Sequence, residues 1–246
     1  MDSPFLFKPG KPIVTVGCIF GTPLAFQGFN WLPLNQVLAW TLFTRQAMKD
    51  HADWTRWRHL LLGGLKMIVL LGSEWCHNIA HVAVARGIGQ PVDGIRIIAG
   101  MPVLLYKEPE HPSIAPRQHI LRSLGGPLCN AVLLLVSKVF QQITPPESPA
   151  REVMNVASGM NTFITFASLT PVPEFDGGPI LKWSLISHGY SPERASQVSI
   201  RANRLIGFGL LGATAVSIKN HSWLLALIYS FLGVLSLATG YGRTKA

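Results

Sequence analysis

Long apolar tracts separated by short polar connections organise this chain. Residues 30–43, 60–85, 119–143, 152–169, 205–218 and 222–239 each read as a helix of membrane-spanning character, since a span takes roughly 20 mainly apolar residues. Two stretches, Val153 to Pro173 and Asn220 to Gly242, contain no Asp, Glu, Lys or Arg. Trp31 and Trp40 stand towards the two ends of the first tract, as interfacial anchors do, and Pro33 suits a first helical turn. The fifth tract, Leu205 to Ile218, is short for a span and is joined to the sixth by the tight turn SIKNHS.

Elsewhere the pattern changes period. Residues 12–26 are β-branched and aromatic, broken by Gly21-Thr22-Pro23, which predicts a strand and turn leading into the membrane. Ile95 to Tyr106 is too short for a span, and its Gly100-Met101-Pro102 predicts two short strands around a turn. An open strand edge is not tolerated in lipid unless protein or water covers it, so this hairpin should hug the bundle near one membrane face. The expected fold is an all-α polytopic membrane protein, with about six transmembrane helices and a short membrane-associated β-hairpin. Its parts are an N-terminal strand and turn segment at 1–28, a membrane core at 29–185 with the hairpin at 95–106, and a cytoplasmic connector with a C-terminal helix pair at 186–246. Within the connector, Ser191-Pro192-Glu193 marks a helix start, and Gly87 and Gly89 should end the helix that precedes them.

Composition supports the membrane reading: 48% of the 246 residues are hydrophobic and 13% charged, against about a quarter charged in soluble domains. The net charge of +9 does not point to nucleic acid, because no basic run is interleaved with aromatics. Lys and Arg lie instead in the connections, where they orient a membrane protein. Lys8, Lys11, Arg86, Arg96, Lys107, Arg117, Arg122, Lys182, Arg194, Arg201, Arg204, Arg243 and Lys245 fall on one side. Arg45, Lys49, Arg56, Arg58, Lys66, Lys138, Arg151 and Lys219 fall on the other. The richer side is expected to be cytoplasmic, with both termini inside, in the cell membrane of a prokaryote. Lys66 is expected to snorkel to the interface from near its helix start. Residues 1–11 lack the order of a cleaved signal peptide. The three cysteines, Cys18, Cys76 and Cys129, lack metal or redox spacing and read as small core residues.

The second tract carries the chemistry. Glu74, His77, Asn78 and His81 are spaced i, i+3, i+4, i+7 and share one helix face. Ionisable groups at that depth are costly and mark function, and two histidines one turn apart can chelate one zinc ion. A His-x-x-x-His pair alone reads equally well as a hydrogen-bonded pair inside a bundle, so a third ligand matters. Charge-based threading brings His77, His81, the Gly126 to Asn130 stretch and Asp176 to one depth near the cytoplasmic face.

With these elements in order, the chain resembles the site-2 protease family of intramembrane zinc metallopeptidases. His77-Asn78-Ile79-Ala80-His81 resembles the family's His-Glu-x-x-His, Gly126-Pro127-Leu128-Cys129-Asn130 its Gly-Pro-x-x-Asn, and Pro171-Val172-Pro173-Glu174-Phe175-Asp176-Gly177-Gly178 its Pro-x-Pro-x-x-Asp-Gly-Gly. The resemblance implies a Zn2+ site held by His77, His81 and Asp176, and substrates that are transmembrane segments of client proteins within the lipid bilayer. It also implies that the hairpin edge pairs with an unwound substrate. Asn130 takes the place of an asparagine near the scissile carbonyl, or joins helices through its amide.

Two positions depart from the family pattern. Asn78 stands where the family has its proton-accepting glutamate, and Ser168 stands where it usually has an asparagine. Glu74, a turn earlier, orients His77, pairs elsewhere in the bundle, or substitutes as base. The expected function is therefore a pseudoprotease that binds transmembrane segments with impaired or absent peptide hydrolysis. The alternative is an active metalloendopeptidase using Glu74 or another group as base. A transporter would need paired broken helices in an internal repeat, which the chain lacks.

Overall fold

The structure is a computed structural model that describes residues 12–27, 32–107, 113–172 and 175–241. Residues 1–11, Trp31, the centre of the 107–116 loop, Pro173, Glu174 and the last five residues, on which some of the expectations above fall, lie outside the described residues. Among the described residues seven helices and one small sheet follow in the order β1 (Pro12–Ile19), β2 (Thr22–Gln27), α1 (Leu34–Asp50), α2 (Arg56–Gly87), β3 (Gly94–Ile98), β4 (Met101–Leu105), α3 (Pro116–Ile143), α4 (Pro149–Ser168), α5 (Gly177–Ser187), α6 (Pro192–Lys219) and α7 (Trp223–Gly240). Among the described residues the chain divides into two compact units. One takes in residues 12–107 and 124–167, and the other residues 113–123 and 168–241.

In the first unit the strands form one sheet in the order β1-β2-β3-β4. β1 and β2 are antiparallel around Phe20-Gly21, both at positive φ. β3 and β4 are antiparallel around Ala99-Gly100, also both at positive φ, so the turn precedes Met101-Pro102 and those two residues open β4. A proline is tolerated there because β4 is an edge strand. β2 runs parallel to β3, with Leu24 opposite Ile95 and Phe26 opposite Ile97. The short hairpin expected from sequence is therefore half of a four-stranded sheet. Its buried side meets the end of α2, where Val82, Ala85, Val92, Ile95 and Leu104 form a core. Arg86 donates to the Phe20 carbonyl.

α1 continues seven residues past the apolar tract to Asp50, and α2 starts at Arg56. The polar run between them is thus mostly helix. The two helices close on each other at Gly63, where a Cβ would lie 2.3 Å from Thr44 Oγ1 and 2.7 Å from Thr44 N. Because α2 begins early, Lys66 sits three turns inside it and does not snorkel. It is 2% exposed and donates to Glu152 Oε2 at 2.6 Å. Glu152 Oε1 meets His51 Nε2 at 2.6 Å, and His51 stacks on Trp54. One carboxylate thereby joins the end of α1, the body of α2 and the first turn of α4, beside a cluster of Ala47, Leu62 and Val153.

Among the described residues two helices, α2 and α3, are long and apolar enough by length and composition to cross a membrane, against the six expected from sequence, and Leu225–Gly240 is a shorter apolar helix. Leu128, Val132, Leu135 and Val139 make an exposed apolar stripe at helical spacing along α3, each at least 58% exposed. Cys18 and Cys76 are exposed rather than core residues; on an apolar outer face a small thiol needs no burial.

In the second unit the expected connector and fifth tract are one helix. Ser191 caps α6 by accepting from Arg194 N, with Pro192 at its first position. The α6–α7 pair packs at Gly207, where a Cβ would lie 2.6 Å from Leu237 Cγ. α5, Gly177–Ser187, is a helix where sequence predicts only the approach to a connector.

Candidate metal centre

His77 and His81 lie one turn apart on α2 and are both buried. Their rings meet edge to face with centroids 4.7 Å apart, and the two Nε2 atoms are 3.1 Å from each other. α3 crosses them with its backbone. The Gly126 amide approaches His81 Nδ1 at 3.4 Å, longer than an ordinary hydrogen bond and too weak to hold that ring in one tautomer, and Pro127 lies inside the helix immediately after it. A Cβ on Gly126 would lie 2.3 Å from His81 Nε2 and 2.5 Å from His77 Nε2. Glycine therefore lets the α3 backbone come up against both imidazoles, where any side chain would collide with them.

That arrangement suits a metal ion. Zinc binds imidazole nitrogen at about 2.0–2.1 Å, so two nitrogens on one tetrahedral ion stand about 3.4 Å apart, close to the observed separation. The other nitrogen of His77 is held as ligating histidines require: Nδ1 donates to Asn130 Oδ1 at 2.6 Å. Asn130, fully buried, lies one turn beyond Gly126 on α3. Its Nδ2 donates to the Ser73 carbonyl at 3.2 Å and to Asn161 Oδ1 at 2.7 Å. Here Asn130 joins α2, α3 and α4 through its amide while holding His77.

Glu74 and Asn78 are half-buried neighbours on α2. Asn78 Nδ2 donates to the Glu74 carbonyl at 3.0 Å and to Glu74 Oε1 at 3.1 Å. Position 78 therefore carries an amide turned back on the preceding helical turn, and Glu74 Oε1 meets Asn78. The ring nitrogen of His77 is met by Asn130.

Asp176 belongs to the second unit and directly precedes α5; its side chain does not cap that helix. Gly177 is there because the chain after α4 passes close by, and a Cβ would lie 2.2 Å from the Leu169 carbonyl oxygen. The sequence reading left out Ser73 and Asn161, buried at 4% and 2% exposure. The signal for Asn161 was present, a carboxamide in a 21-residue stretch free of charges, where polar groups are costly.

A protein of Methanocaldococcus jannaschii named as a putative zinc metalloprotease is 30% identical to this chain over 136 residues, which span 48% of the chain and 69% of that relative. The chain belongs to the site-2 protease family. The solved structure of the site-2 protease from Methanocaldococcus jannaschii superposes with a TM-score of 0.53 and 14% identity over 95% of both chains, a likeness of fold. No family model matches the chain.

Proposed function

We propose that this member of the site-2 protease family binds zinc through His77, His81 and Asp176, the two imidazoles and one carboxylate that its motifs supply. In this proposal it captures transmembrane segments of client proteins with peptide hydrolysis impaired. Bound zinc supplies Lewis acidity towards a peptide carbonyl and makes water a better nucleophile near neutral pH. The protein's own share is to hold the ligands and, in an active enzyme, to present a proton acceptor. The observation that carries the impaired-hydrolysis reading is Asn78. Its amide donates to Glu74 and has no basic carboxylate to take a proton, which typically forfeits about 10²–10⁴-fold in rate.

A second reading rests on the same contact. Glu74 Oε1 lies one hydrogen bond from the residue at the base position, so Glu74 is the carboxylate that would act in an active enzyme. Cleavage of a transmembrane test substrate by the purified protein separates the two. No cleavage by the chain as it stands, with cleavage gained in Asn78→Glu, supports the pseudoprotease. Zinc-dependent cleavage by the unmodified chain, abolished in Glu74→Gln, establishes the enzyme.

The topology belongs to the same proposal: about six spans, both termini cytoplasmic, in a prokaryotic cell membrane. The Lys and Arg distribution supports it.

A further inference from the structure

Beside His77 a set of buried polar groups runs from α4 through α3 to α2. Every hydrogen in it can be placed by counting donors from the backbone outward, because a carbonyl only accepts. The Ser73 hydroxyl donates to the Val69 carbonyl at 2.8 Å, which uses its one hydrogen. Asn161 Nδ2 donates to the Ala157 carbonyl at 2.8 Å and to Ser73 Oγ at 3.0 Å, which uses both of its hydrogens. Asn161 therefore faces Asn130 with its oxygen, Oδ1, and accepts from Asn130 Nδ2 at 2.7 Å. The second hydrogen of Asn130 goes to the Ser73 carbonyl. Asn130 is left facing His77 with Oδ1, and His77 has to donate from Nδ1. In the neutral ring that leaves Nε2, the nitrogen on the Gly126 side, without a proton and able to bind a metal.

We infer that Asn161, which touches neither histidine, is a positioning residue. Through the polarity of the Asn130 amide it sets the tautomer of His77 that ligates metal. Without the Asn161 carbonyl, Asn130 keeps only its longer bond to the Ser73 carbonyl as a guide. Its amide can then turn over and present Nδ2 to His77 Nδ1. That nitrogen must now accept, the proton moves to Nε2, and the ligating position is blocked. The consequence for zinc rests on the function proposed above, while the tautomer itself does not.

The test has one readout without metal and one with it. In metal-free protein labelled with ¹⁵N-histidine, with His77 assigned by difference from His77→Gln, the unmodified chain should carry its proton on Nδ1. Asn161→Ala should move a substantial share to Nε2 and lower zinc affinity about 10–100-fold, the usual effect of removing a partner that orients a ligand. Should Asn161→Ala fail to fold, Asn161→Ser removes the same carbonyl, keeps a polar group in the slot and is read the same way. Ile164→Ala, which hollows the same helix at a buried apolar residue, should leave the tautomer unchanged. The rescue is Asn130→Asp, whose carboxylate accepts whichever way it is turned, so Asn161→Ala in that background should leave the proton on Nδ1. An unchanged tautomer in the folded Asn161 variant, an equal change in Ile164→Ala, or failure of the rescue overturns the inference. An unmodified chain that takes no zinc sinks the proposed function and leaves the tautomer measurement to decide this one.

Discussion

Replacing Gly126 by alanine tests the metal centre without touching a ligand. The added carbon would lie 2.3 Å from His81 Nε2 and 2.5 Å from His77 Nε2 and Cε1, whereas non-bonded atoms settle at about 3.5–4.0 Å. Either α3 backs away from α2 or the rings swing aside by more than an ångström. Overpacking of this kind costs about 1–3 kcal/mol. Swinging His77 aside strips the buried Asn130 oxygen of its partner, at a similar cost of about 1–3 kcal/mol. Against this, alanine in a helix interior is about 1 kcal/mol better than glycine. The net effect on folding is then a loss of about 0–2 kcal/mol, and the protein should remain folded.

Metal binding has no such compensation, because the added carbon pushes both Nε2 atoms out of the 3.1 Å pairing that suits one ion. Zinc affinity should fall at least about 100-fold, equivalent to about 2.7 kcal/mol. Elemental analysis after dialysis against a graded chelator series measures the affinity, and thermal unfolding of the same samples measures the stability. Gly126→Ala with unmodified affinity would refute the assignment of the two Nε2 atoms to one ion. A collapse in stability would show that Gly126 serves helix packing first.

The remaining expectations are quickly stated. Purified protein should hold about one zinc per chain, lost in His77→Ala and in Asp176→Ala; full retention in both removes the proposed donor set. Asn78→Glu should raise cleavage of a transmembrane substrate from undetectable, and if the restored carboxylate acts as base the gain lies within about 10²–10⁴-fold. Glu152→Ala should destabilise more than Lys66→Met, by about 3 kcal/mol against 1 in detergent unfolding. The first leaves a 2%-exposed ammonium without its partner, the second a 23%-exposed carboxylate that keeps His51. Equal losses would contradict that reading. Cysteine labelling should reach both termini and the 107–116 loop from the cytoplasmic side only; labelling of the loop from outside would overturn the threading.

What the chain disclosed in advance was local. The i, i+4 spacing of His77 and His81 needs only a helix to become a pair of facing rings, and Gly87 and Gly89 stop that helix where expected. The Gly100 turn announces its hairpin because both strands lie within twelve residues. The parallel pairing of β2 with β3 was not legible: it joins residues about 70 positions apart, and nothing in either strand names its partner. The α6 boundary was missed for another reason. Arg194, Arg201 and Arg204 lower the local hydropathy of a segment that the Ser191 cap and the helical period carry on unbroken, so a search for apolar tracts divides one helix at its charges. Lys66 was placed at a helix end for the same reason, and its partner Glu152 lies 86 residues away.

Under the proposed function, holding a metal and using it fall to different side chains. The groups that fix His77 run through Asn130, Asn161 and Ser73, on the side of the helix bundle served by α3 and α4, and none of them bonds to residue 78. The side chain of residue 78 is instead satisfied within α2, by the carbonyl and carboxylate of Glu74. Exchange of a carboxylate for a carboxamide at this position therefore leaves the histidine network complete. It also removes a like-charge repulsion, since two carboxylates one helical turn apart oppose each other whereas an amide donates to the one that remains. An amide at position 78 is thus compatible with the fold, and the hydrogen bond between Asn78 and Glu74 contributes to keeping the carboxylate of Glu74 where it is. Restoring glutamate at 78 should consequently cost some stability through that repulsion, and the cost should disappear in Glu74→Gln. A stability change in Asn78→Glu that is independent of residue 74 would show that the two side chains do not share one electrostatic environment.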